Sequence, residues 1–330
     1  MSAPPVSDDF VRLADPYRRE LLAHCYRMLG SVQDAEDLVQ ETYLRAWRGY
    51  PRFEGRSSLR TWLYRIATTA CLTALESRRR RPLPTGLGAP SHDPGEPLTE
   101  LPEIGWLEPI PDALVDDSDD PAAIVAARES TRLAFIAALQ HLPPRQRAAL
   151  LLRDVLRWKA SEVAAAMGTS IAAANSALQR ARAQLQQIAP QRDGTAEPSS
   201  PELRRLLDRY VTAFEDKDIP AIVELFTEDA VWEMPPYANW IRGAEAIGEL
   251  VDRWCPADRG ELRLVPTSAN GQPAFGMYRR DPAGGYVPFQ LHVLAPQDGR
   301  IGHVVAFFDV ALFPRFGLPD ALPAERGADR

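Results

Sequence analysis

The 330-residue chain is poor in cysteine and lacks a long apolar run. Its three cysteines, Cys25, Cys71 and Cys255, lie far apart without a CxxC spacing, so neither a disulfide framework nor a zinc site is predicted. No apolar stretch approaches the roughly 20 residues that a membrane-spanning helix needs. Residues 1–9 have neither the basic nor the apolar segment of a secretory signal, and we therefore expect a cytoplasmic protein. No metal and no cofactor are expected.

Basic residues are missing from one long segment. Residues 82–120 contain no lysine or arginine, whereas they hold eight prolines and ten acidic residues. This composition predicts an extended, largely unstructured linker. Proline, glycine and serine interrupt a helical pattern again over 189–201. We therefore predict three modules, at 8–81, 121–189 and 201–320, of which the first two are all-helical and the third is α+β.

Positive charge is concentrated in the first module. Ten arginines lie between Arg45 and Arg81, where only two acidic residues occur, although the net charge of the chain is −7. Aromatic residues lie among these arginines: Trp47, Tyr50, Phe53, Trp62 and Tyr64. Aromatic rings beside guanidinium groups can stack unpaired bases while the phosphates are held. The pattern predicts binding to melted or single-stranded DNA. Packing in the core is the alternative for Trp47 and Trp62.

An acidic amphipathic helix is predicted just before this segment. Ser31 is a suitable N-cap, and Asp34 follows at the third helical position. Residues at helical spacing predict the buried stripe: Ala35, Leu38, Val39, Thr42, Tyr43 and Ala46. Asp37, Gln40 and Glu41 then lie on the solvent face. Such a face indicates either a partner-binding surface or ordinary solvation.

The second module contains a helix-turn-helix pattern. A helix is predicted over 120–140, because Asp120 is an N-cap followed by proline. Two further helices are predicted over 162–167 and 171–187. Gly168 lies in the turn between them, where it can adopt the left-handed conformation, and Ser170 is the N-cap of the second helix.

The motifs of these two modules resemble the extracytoplasmic-function (ECF) sigma factors of bacterial RNA polymerase. D-A-E-D-L-V-Q-E-T at 34–42, with Phe53, R-T-W-L at 60–63 and I-A-T at 66–68, is similar to domain 2 of that family. L-P-P-R-Q-R at 142–147, with R-A-R at 180–182, is similar to domain 4. The resemblance implies a protein that binds the β′ and β subunits of the polymerase core and recognises the −10 and −35 promoter elements.

The resemblance also implies roles for individual residues. In the family the acidic helix binds the clamp helices of β′, which assigns that role here to Asp37, Gln40 and Glu41. The residues implied at the −10 element are Arg56, Arg60, Trp62, Tyr64, Arg65, Thr69, Arg78, Arg79, Arg80 and Arg81. The residues implied at the −35 element are Ser170, Asn175, Ser176, Gln179, Arg180 and Arg182. Many relatives have a basic residue at position 175 and an arginine at 177, so this recognition helix is less cationic than usual.

The third module resembles the SnoaL-like branch of the nuclear-transport-factor-like cone fold. Helices are predicted over 202–216 and 219–226. Strands are predicted near 231–234, 261–268, 273–280, 286–295 and 301–311. Asn270-Gly271 and Asp298-Gly299 are expected to form tight turns between strands. Enzymes and non-catalytic binding domains share this fold, so the fold does not decide the role.

Few residues of the third module suggest catalysis. His292 with Asp309 or Glu233 would be an acid/base pair, but no spacing supports such contacts and a structural histidine is the preferred interpretation. Four aromatic residues line a pocket or fill the core: Trp232, Tyr237, Trp240 and Tyr278. Leu203, Phe313 and Phe316 contact the sigma modules or pack within the domain.

The sequence therefore predicts a sigma factor that is not an enzyme. Its C-terminal domain is expected to modulate activity in cis by contacting the sigma modules or their linker. The linker stretch W-L-E-P-I-P at 106–111 is expected to dock, because it breaks an otherwise acidic run. One alternative is a sigma factor fused to a working isomerase, cyclase or hydrolase. A second, an ordinary helix-turn-helix repressor, does not explain the acidic helix before the arginine-rich segment.

Overall fold

The chain divides into two compact units, each built from separate stretches of sequence. The computed structural model describes residues 6–77, 80–115, 130–188, 200–255 and 257–324. Met1–Arg81 and Leu107–Pro190 form a helical unit, whereas Pro82–Trp106 and Gln191–Arg330 form a mixed α/β unit. The linker between the two sigma-like modules is therefore shared, and most of it belongs to the mixed unit.

In the part of the first half that the structure describes, the helical unit contains four α-helices. These are α1 (Val6–Ala14), α2 (Arg18–Leu29), α3 (Val32–Gly49) and α4 (Leu59–Glu76). The predicted cap of α3 is confirmed, because the Ser31 hydroxyl accepts the Asp34 N–H at 3.2 Å. Ser58 caps α4 in the same way through the Thr61 N–H at 3.1 Å. Large side chains fill the space between these helices: Phe10, Tyr26, Met28, Leu63 and Tyr64.

The second half contains the helix-turn-helix. α5 (Leu133–Gln140) is followed by α6 (Pro144–Leu150), which continues into a π turn at Leu151–Val155. α7 (Ala160–Ala166) and α8 (Ile171–Ile188) are the two helices of the motif. Gly168 between them has φ +59°, as the turn requires, and the Ser170 hydroxyl accepts the Ala173 N–H at 3.1 Å. The helix start predicted at Asp120 lies outside the described residues.

Arg147 joins the two halves of the helical unit. This arginine in the middle of α6 is buried, and it donates to the backbone oxygen of Met28 at the end of α2. It also donates to Gln140 Oε1 at 2.7 Å and to the backbone oxygens of Gln140 and Leu142 at 3.2 and 3.1 Å. Burial lowers the pKa of Arg147 to about 10. The guanidinium group thus binds carbonyls at helix ends, which have no partners within their helices.

The end of the linker packs on the first half of this unit. Leu107 and Ile110 are fully buried. The Glu108 N–H donates to Gly30 O at 3.0 Å, and its carboxylate accepts the Val32 N–H at 2.9 Å. Gly30 has φ +72°, and a Cβ there would lie 2.8 Å from Leu107, so a glycine is needed for this close approach. The docking predicted for 106–111 is found for 107–111.

Within the described residues, the mixed unit has three α-helices and a six-stranded sheet. The helices are α9 (Pro201–Glu215), α10 (Ile219–Leu225) and α11 (Ala244–Trp254). The strands are β1 (Phe226–Glu233), β2 (Trp240–Arg242), β3 (Leu262–Ala269), β4 (Gln272–Arg280), β5 (Tyr286–Gln297) and β6 (Arg300–Phe307). Their order is β2-β1-β6-β5-β4-β3, and only the β1–β6 pair within this described sheet is parallel.

The predicted turns of the mixed unit are confirmed. Asn270-Gly271 joins β3 to β4 and Asp298-Gly299 joins β5 to β6, with positive φ at all four residues. The last strand ends at Phe307 and not near 311, because Asp309 caps a 3₁₀ helix at Val310–Phe316 by accepting the Ala311 N–H at 3.0 Å. The core lies between the helices and one sheet face and includes Leu206, Tyr210, Phe214, Trp232 and Ile247.

Candidate nucleic-acid interface

The solvent face of α3 combines acidic and apolar side chains. Asp37 and Gln40 are exposed, and Glu41 is half-buried beside Arg45, with 2.7 Å between Glu41 Oε1 and Arg45 Nε. Leu44 is 43% exposed and Trp47 is 47% exposed one and two turns further on. Core packing, the alternative for Trp47, is therefore wrong. We name Asp37, Gln40, Glu41, Leu44 and Trp47 the α3 surface.

Three of the α4 residues predicted at the −10 element have surface open to solvent: Trp62, Arg65 and Thr69. Arg65 and Thr69 are exposed one turn apart, and Trp62 is half-buried. The Trp62 ring packs on Phe53 with 4.8 Å between ring centroids and an interplanar angle of 31°. A Cβ at Gly49 would lie 3.2 Å from the same ring. Trp62 is therefore held in place from two sides while part of its ring remains open to solvent.

Two residues assigned to the −10 element form contacts within the helical unit instead. Tyr64 is fully buried, and its hydroxyl lies 3.3 Å from both Glu20 O and Glu20 Oε2. Burial raises the pKa of Tyr64. Arg60 forms hydrogen bonds of 2.7 to 2.9 Å to Glu20, and its guanidinium lies 5.0 Å from the Tyr64 ring centroid. The assignment of Tyr64 to DNA is wrong in this conformation, and Arg60 already has a partner.

The arginine run after α4 is only partly available. Arg78 and Arg79 lie outside the described residues. Arg80 lies 2.8 Å from His141 Nδ1. Arg81 pairs with Asp34 at 2.8 Å and with Glu108 of the linker at 3.5 Å. Arg81 therefore supports the docked linker. Arg56 is exposed and pairs with Glu54 at 2.6 Å, a surface ion pair of little energetic weight.

α8 has one buried side and one solvent side. Ala174, Ala177, Leu178 and Ala181 are buried against the rest of the helix-turn-helix. The predicted −35 residues on α8 are all exposed: Asn175, Ser176, Gln179, Arg180 and Arg182. Arg182 binds both carboxylate oxygens of Asp154, at 2.9 and 2.6 Å. The position at which many relatives have an arginine, 177, is thus a packing position in this chain.

A cleft of about 340 Å³ separates the −10 candidates from the helix-turn-helix. Its walls are Arg45, Arg65, Ile66 and Thr69 on one side and Ala165, Ala166 and Gly168 on the other. The Tyr64 ring also packs on Trp158, with 5.5 Å between centroids. The −10 candidates therefore lie next to α7 and the turn of the helix-turn-helix in this arrangement.

His292 in the mixed unit is structural, as predicted. It is fully buried, and its Nδ1 lies 2.7 Å from the Tyr210 hydroxyl. The rings of Trp232 and Phe214 surround it, with centroids 5.2 and 5.7 Å away. Burial lowers the pKa of His292 to about 3. Neither acid/base pair considered for His292 forms, because Asp309 caps the 3₁₀ helix that follows β6 and Glu233 pairs with His303.

The other residues singled out in this unit belong mainly to its interior. Leu203 is buried in the core and Phe313 packs on Tyr278, with 5.2 Å between ring centroids, so their assignment to a docking face is wrong. Phe316 is also buried. Trp232 is a core residue, and Tyr237 packs on the ring of Phe308 with 5.3 Å between centroids. Trp240 differs, because its indole contacts the linker.

One contact of the linker with the rest of the mixed unit is at Glu233. This carboxylate has a fully buried side chain and lies 2.7 Å from His303 Nε2. Its second oxygen accepts the backbone N–H of Thr85 at 2.7 Å. A buried carboxylate needs such donors, since an unpaired charge away from water is costly. The linker thus supplies one of the two described partners of Glu233.

Further bonds hold the linker along the mixed unit. The indole N–H of Trp240 donates to Gly88 O at 3.0 Å, and that of Trp254 donates to Pro94 O at 2.9 Å. Backbone hydrogen bonds of 2.8 to 3.1 Å join three more pairs: Ser91 with Trp240, Thr99 with Ala238 and Leu101 with Pro236. The prediction of an unstructured linker is therefore wrong for residues 82–115.

Burial of two histidines makes stability depend on pH. Burial lowers the pKa of His24 and of His292 from 6.5 to about 3, and for His24 the nearby Arg27 adds to the effect. Each is neutral when folded, whereas the unfolded chain binds a proton below pH 6.5. Their contribution to stability is therefore present above pH 6.5 and is lost as pH falls towards 3. We expect the free energy of unfolding to fall by about 1.4 kcal/mol per pH unit for each histidine.

Urea unfolding at pH 7 and pH 5 measures this loss. His24 lies in the helical unit and His292 in the mixed unit, so the matched variants His24→Gln and His292→Gln report on each unit separately. Each should flatten the pH dependence of its own transition and leave that of the other unit unchanged, so that each variant is the control for the other. An unchanged pH dependence in His292→Gln would contradict the buried, neutral state.

The fold defines a class of protein: two helical domains, the second with a helix-turn-helix of the kind that binds DNA, and an added α+β domain. Family models match in the same order: "Sigma-70 region 2" over 13–81, "Sigma-70, region 4" over 132–185 and "SnoaL-like domain" over 207–310. Within the described ranges, no helix is long and apolar enough to cross a membrane. Nor do three or more His, Cys, Asp or Glu side chains gather as a metal site in that part of the chain.

Two curated relatives show to which protein family the chain belongs. The ECF RNA polymerase sigma factor SigG of Mycobacterium tuberculosis is 62% identical over 317 residues, which are 95% of this chain and 85% of that protein. The ECF sigma factor SigJ of the same organism is 31% identical over 94% of this chain and 96% of its own length. The crystal structure of SigJ shares the fold, with a TM-score of 0.59 and 24% identity over 95% of this chain and 100% of that one.

The chain belongs to the ECF RNA polymerase sigma factors and carries a SnoaL-like C-terminal domain. Sigma factors bind the polymerase core and promoter DNA and are not enzymes, which confirms the predicted family, the fold class and the function as a sigma factor. The repressor alternative is wrong.

Proposed function

We propose that this sigma factor binds the polymerase core through the α3 surface and reads the −10 element with α4 and the −35 element with α8. The observation that carries the proposal is the exposure of Asp37 and Gln40 beside Leu44 and Trp47 on one helix face. Charged and apolar groups together suit a protein interface better than plain solvation. The subunits proposed to be contacted are β′ and β, in the cytoplasm, where promoters are transcribed.

Charge reversal on the α3 surface tests this proposal. The double variant Asp37→Lys, Glu41→Lys is expected to weaken binding to core polymerase about tenfold or more, because it replaces attraction by repulsion without touching the core. Binding is measured by titrating labelled protein with purified core. The control Glu228→Lys, Asp229→Lys changes the net charge equally at exposed positions of β1. Full binding by the folded α3 double variant would overturn the assignment.

We further propose that the helical unit opens when it binds a promoter. The −10 and −35 elements lie about 25 base pairs apart, a separation of roughly 85 Å along B-DNA. In the structure Arg65 and Thr69 share one cleft with Gly168 of the helix-turn-helix. A helix-turn-helix that lies directly across one cleft from Arg65 and Thr69 cannot reach an element so far from the −10 element. Separation of the domains formed by 8–81 and 121–189 is therefore part of the proposed function.

We propose that the SnoaL-like domain modulates transcription in cis by holding the linker. Leu107 is fixed to the first domain, so only residues 108–120 remain to reach the second one, a span of at most about 47 Å at roughly 3.6 Å per residue. The docked end of the linker must therefore be released before the domains can reach promoter elements roughly 85 Å apart. The Glu233, Trp240 and Trp254 contacts tie residues 85–94 to the mixed unit. A domain of about 120 residues joined this closely has a high effective concentration at the linker.

In vitro transcription with core polymerase tests modulation in cis. A chain that ends at residue 190 is expected to differ from the full-length protein in promoter output. The double variant Trp240→Phe, Trp254→Phe removes two indole donors to the linker but keeps aromatic rings, and it should shift output in the same direction as truncation. Tyr286→Phe is the matched control, because it removes a 2.9 Å bond to Gly260 within the mixed unit.

Two results would contradict the linker mechanism in different ways. Equal output from the truncated and full-length chains at several promoters would exclude modulation in cis. A truncated chain that differs while the double tryptophan variant matches the full-length protein would show that modulation does not act through these linker contacts.

A further inference from the structure

The solvent side of the recognition helix α8 is almost free of charge. With Ala174, Ala177 and Ala181 on the buried side, a rotation of 100° per residue places Ala172, Ser176, Gln179 and Ala183 opposite them. All four are exposed. Asn175 flanks this face and is also exposed, and Ile171, in the first turn, is 50% exposed.

The cations of α8 lie late in the helix. Between Ile171 and Ile188 the sequence has only Arg180 and Arg182 as basic residues. Arg182 is held by both oxygens of Asp154. The first two turns, which contact base edges in helix-turn-helix proteins, therefore carry no positive side chain. A guanine is read mainly by arginine or lysine, which donate to its O6 and N7.

We infer that α8 reads an A·T-containing −35 element, in which Asn175 recognises an adenine and Ile171 contacts a thymine methyl group. The inference rests on the proposed function, since it names the bases that the same surface would take. The Asn175 amide both donates and accepts, which matches adenine N7 and N6 in the major groove. Ile171 is a half-exposed apolar side chain where the helix enters the groove. Gln179, one turn after Asn175, has the same amide chemistry for a second adenine.

Ser170 is left out of direct base readout. Its hydroxyl accepts the Ala173 N–H and so completes the start of the helix. Arg180 is the cation of α8 with no ion pair in the described residues and is the phosphate contact in this arrangement. Base recognition and phosphate contact are thus assigned to different residues, so separate substitutions can test each of them.

A promoter library tests the inference with full-length protein and core polymerase. The −35 hexamer is randomised while the rest of the promoter is constant, and transcripts are sequenced. We expect an adenine preference of about 5- to 150-fold at one position, the range for one bidentate pair. Asn175→Ala should remove that preference and leave the other positions unchanged. Gln186→Ala, at an exposed position in the last turns of α8, is the matched control.

Deoxyuridine substitution tests the methyl contact separately. Replacing the preferred thymine by deoxyuridine removes one methyl group and should lower promoter binding about fourfold. The effect should disappear in Ile171→Ala, which lacks the contacting side chain. Equal binding of both templates by the unaltered protein would overturn the thymine assignment.

The outcomes separate this inference from the proposed function. A guanine preference that survives Asn175→Ala and is lost in Arg180→Ala would overturn the inference, while α8 would still be the −35 reader. Absence of any −35 preference, with no effect of either substitution, would overturn both. A lost adenine preference in Asn175→Ala supports both.

Discussion

Replacing Trp62 and Arg65 together by alanine is expected to suppress promoter opening while duplex binding falls less. Trp62 offers an aromatic surface fixed by Phe53, and Arg65 is exposed one turn along the same helix face. Stacking of one unpaired base on an aromatic ring contributes about 1–3 kcal/mol, which offsets the cost of unstacking it from the duplex. Permanganate reactivity of thymines in the −10 region measures the opening.

The two residues are separated by single variants. Trp62→Ala also removes packing against Phe53, so part of its effect is structural. Arg65→Ala makes no such cavity, and Arg65→Lys keeps the charge but loses the planar guanidinium. Arg12→Ala, at an exposed position of α1, is the control for loss of one positive charge. Normal permanganate reactivity in the folded double variant would contradict the role of this face in melting.

Substitution of Arg147 by methionine is expected to lower the free energy of unfolding of the helical unit by about 3 kcal/mol. Four oxygen acceptors lose a donor at once, among them the backbone oxygen of Met28 at the end of α2. Because methionine fills much of the volume of the arginine side chain, the lost free energy of unfolding comes from the missing hydrogen bonds more than from a cavity. Urea unfolding followed by far-UV circular dichroism measures the change.

Arg145→Met is the matched control for this prediction. It lies two residues earlier on α6, is exposed, and should change stability by no more than about 0.5 kcal/mol. Because Arg147 links α6 to α2, its loss should also make the two halves of the helical unit unfold with separate midpoints. Equal stability of Arg147→Met and Arg145→Met would show that the buried guanidinium contributes no net stability.

The sequence by itself determined the features that depend on short spacings. The start of α3 at Ser31, the turn at Gly168 and the Asn270-Gly271 hairpin follow from caps, helical periodicity and positive φ, which involve residues at most a few positions apart. The exposed face with Asp37 and Gln40 follows from the 3.6-residue period in the same way. These features carry the resemblance to sigma factors, so the family could be predicted from the sequence.

Only the tertiary structure decided which charged and aromatic side chains remain available to bind DNA and which are engaged within the protein. Tyr64 and Arg60 form hydrogen bonds with Glu20, which lies 44 and 40 positions away in the sequence. Arg182 forms hydrogen bonds with Asp154, which lies 28 positions away. The linker was predicted to be unstructured from its composition, but Thr85 binds Glu233 at a separation of 148. The amino-acid composition of a segment predicts only how that segment behaves without the rest of the chain. A buried carboxylate or an indole N–H elsewhere in the chain supplies the partner, and only folding brings the two together.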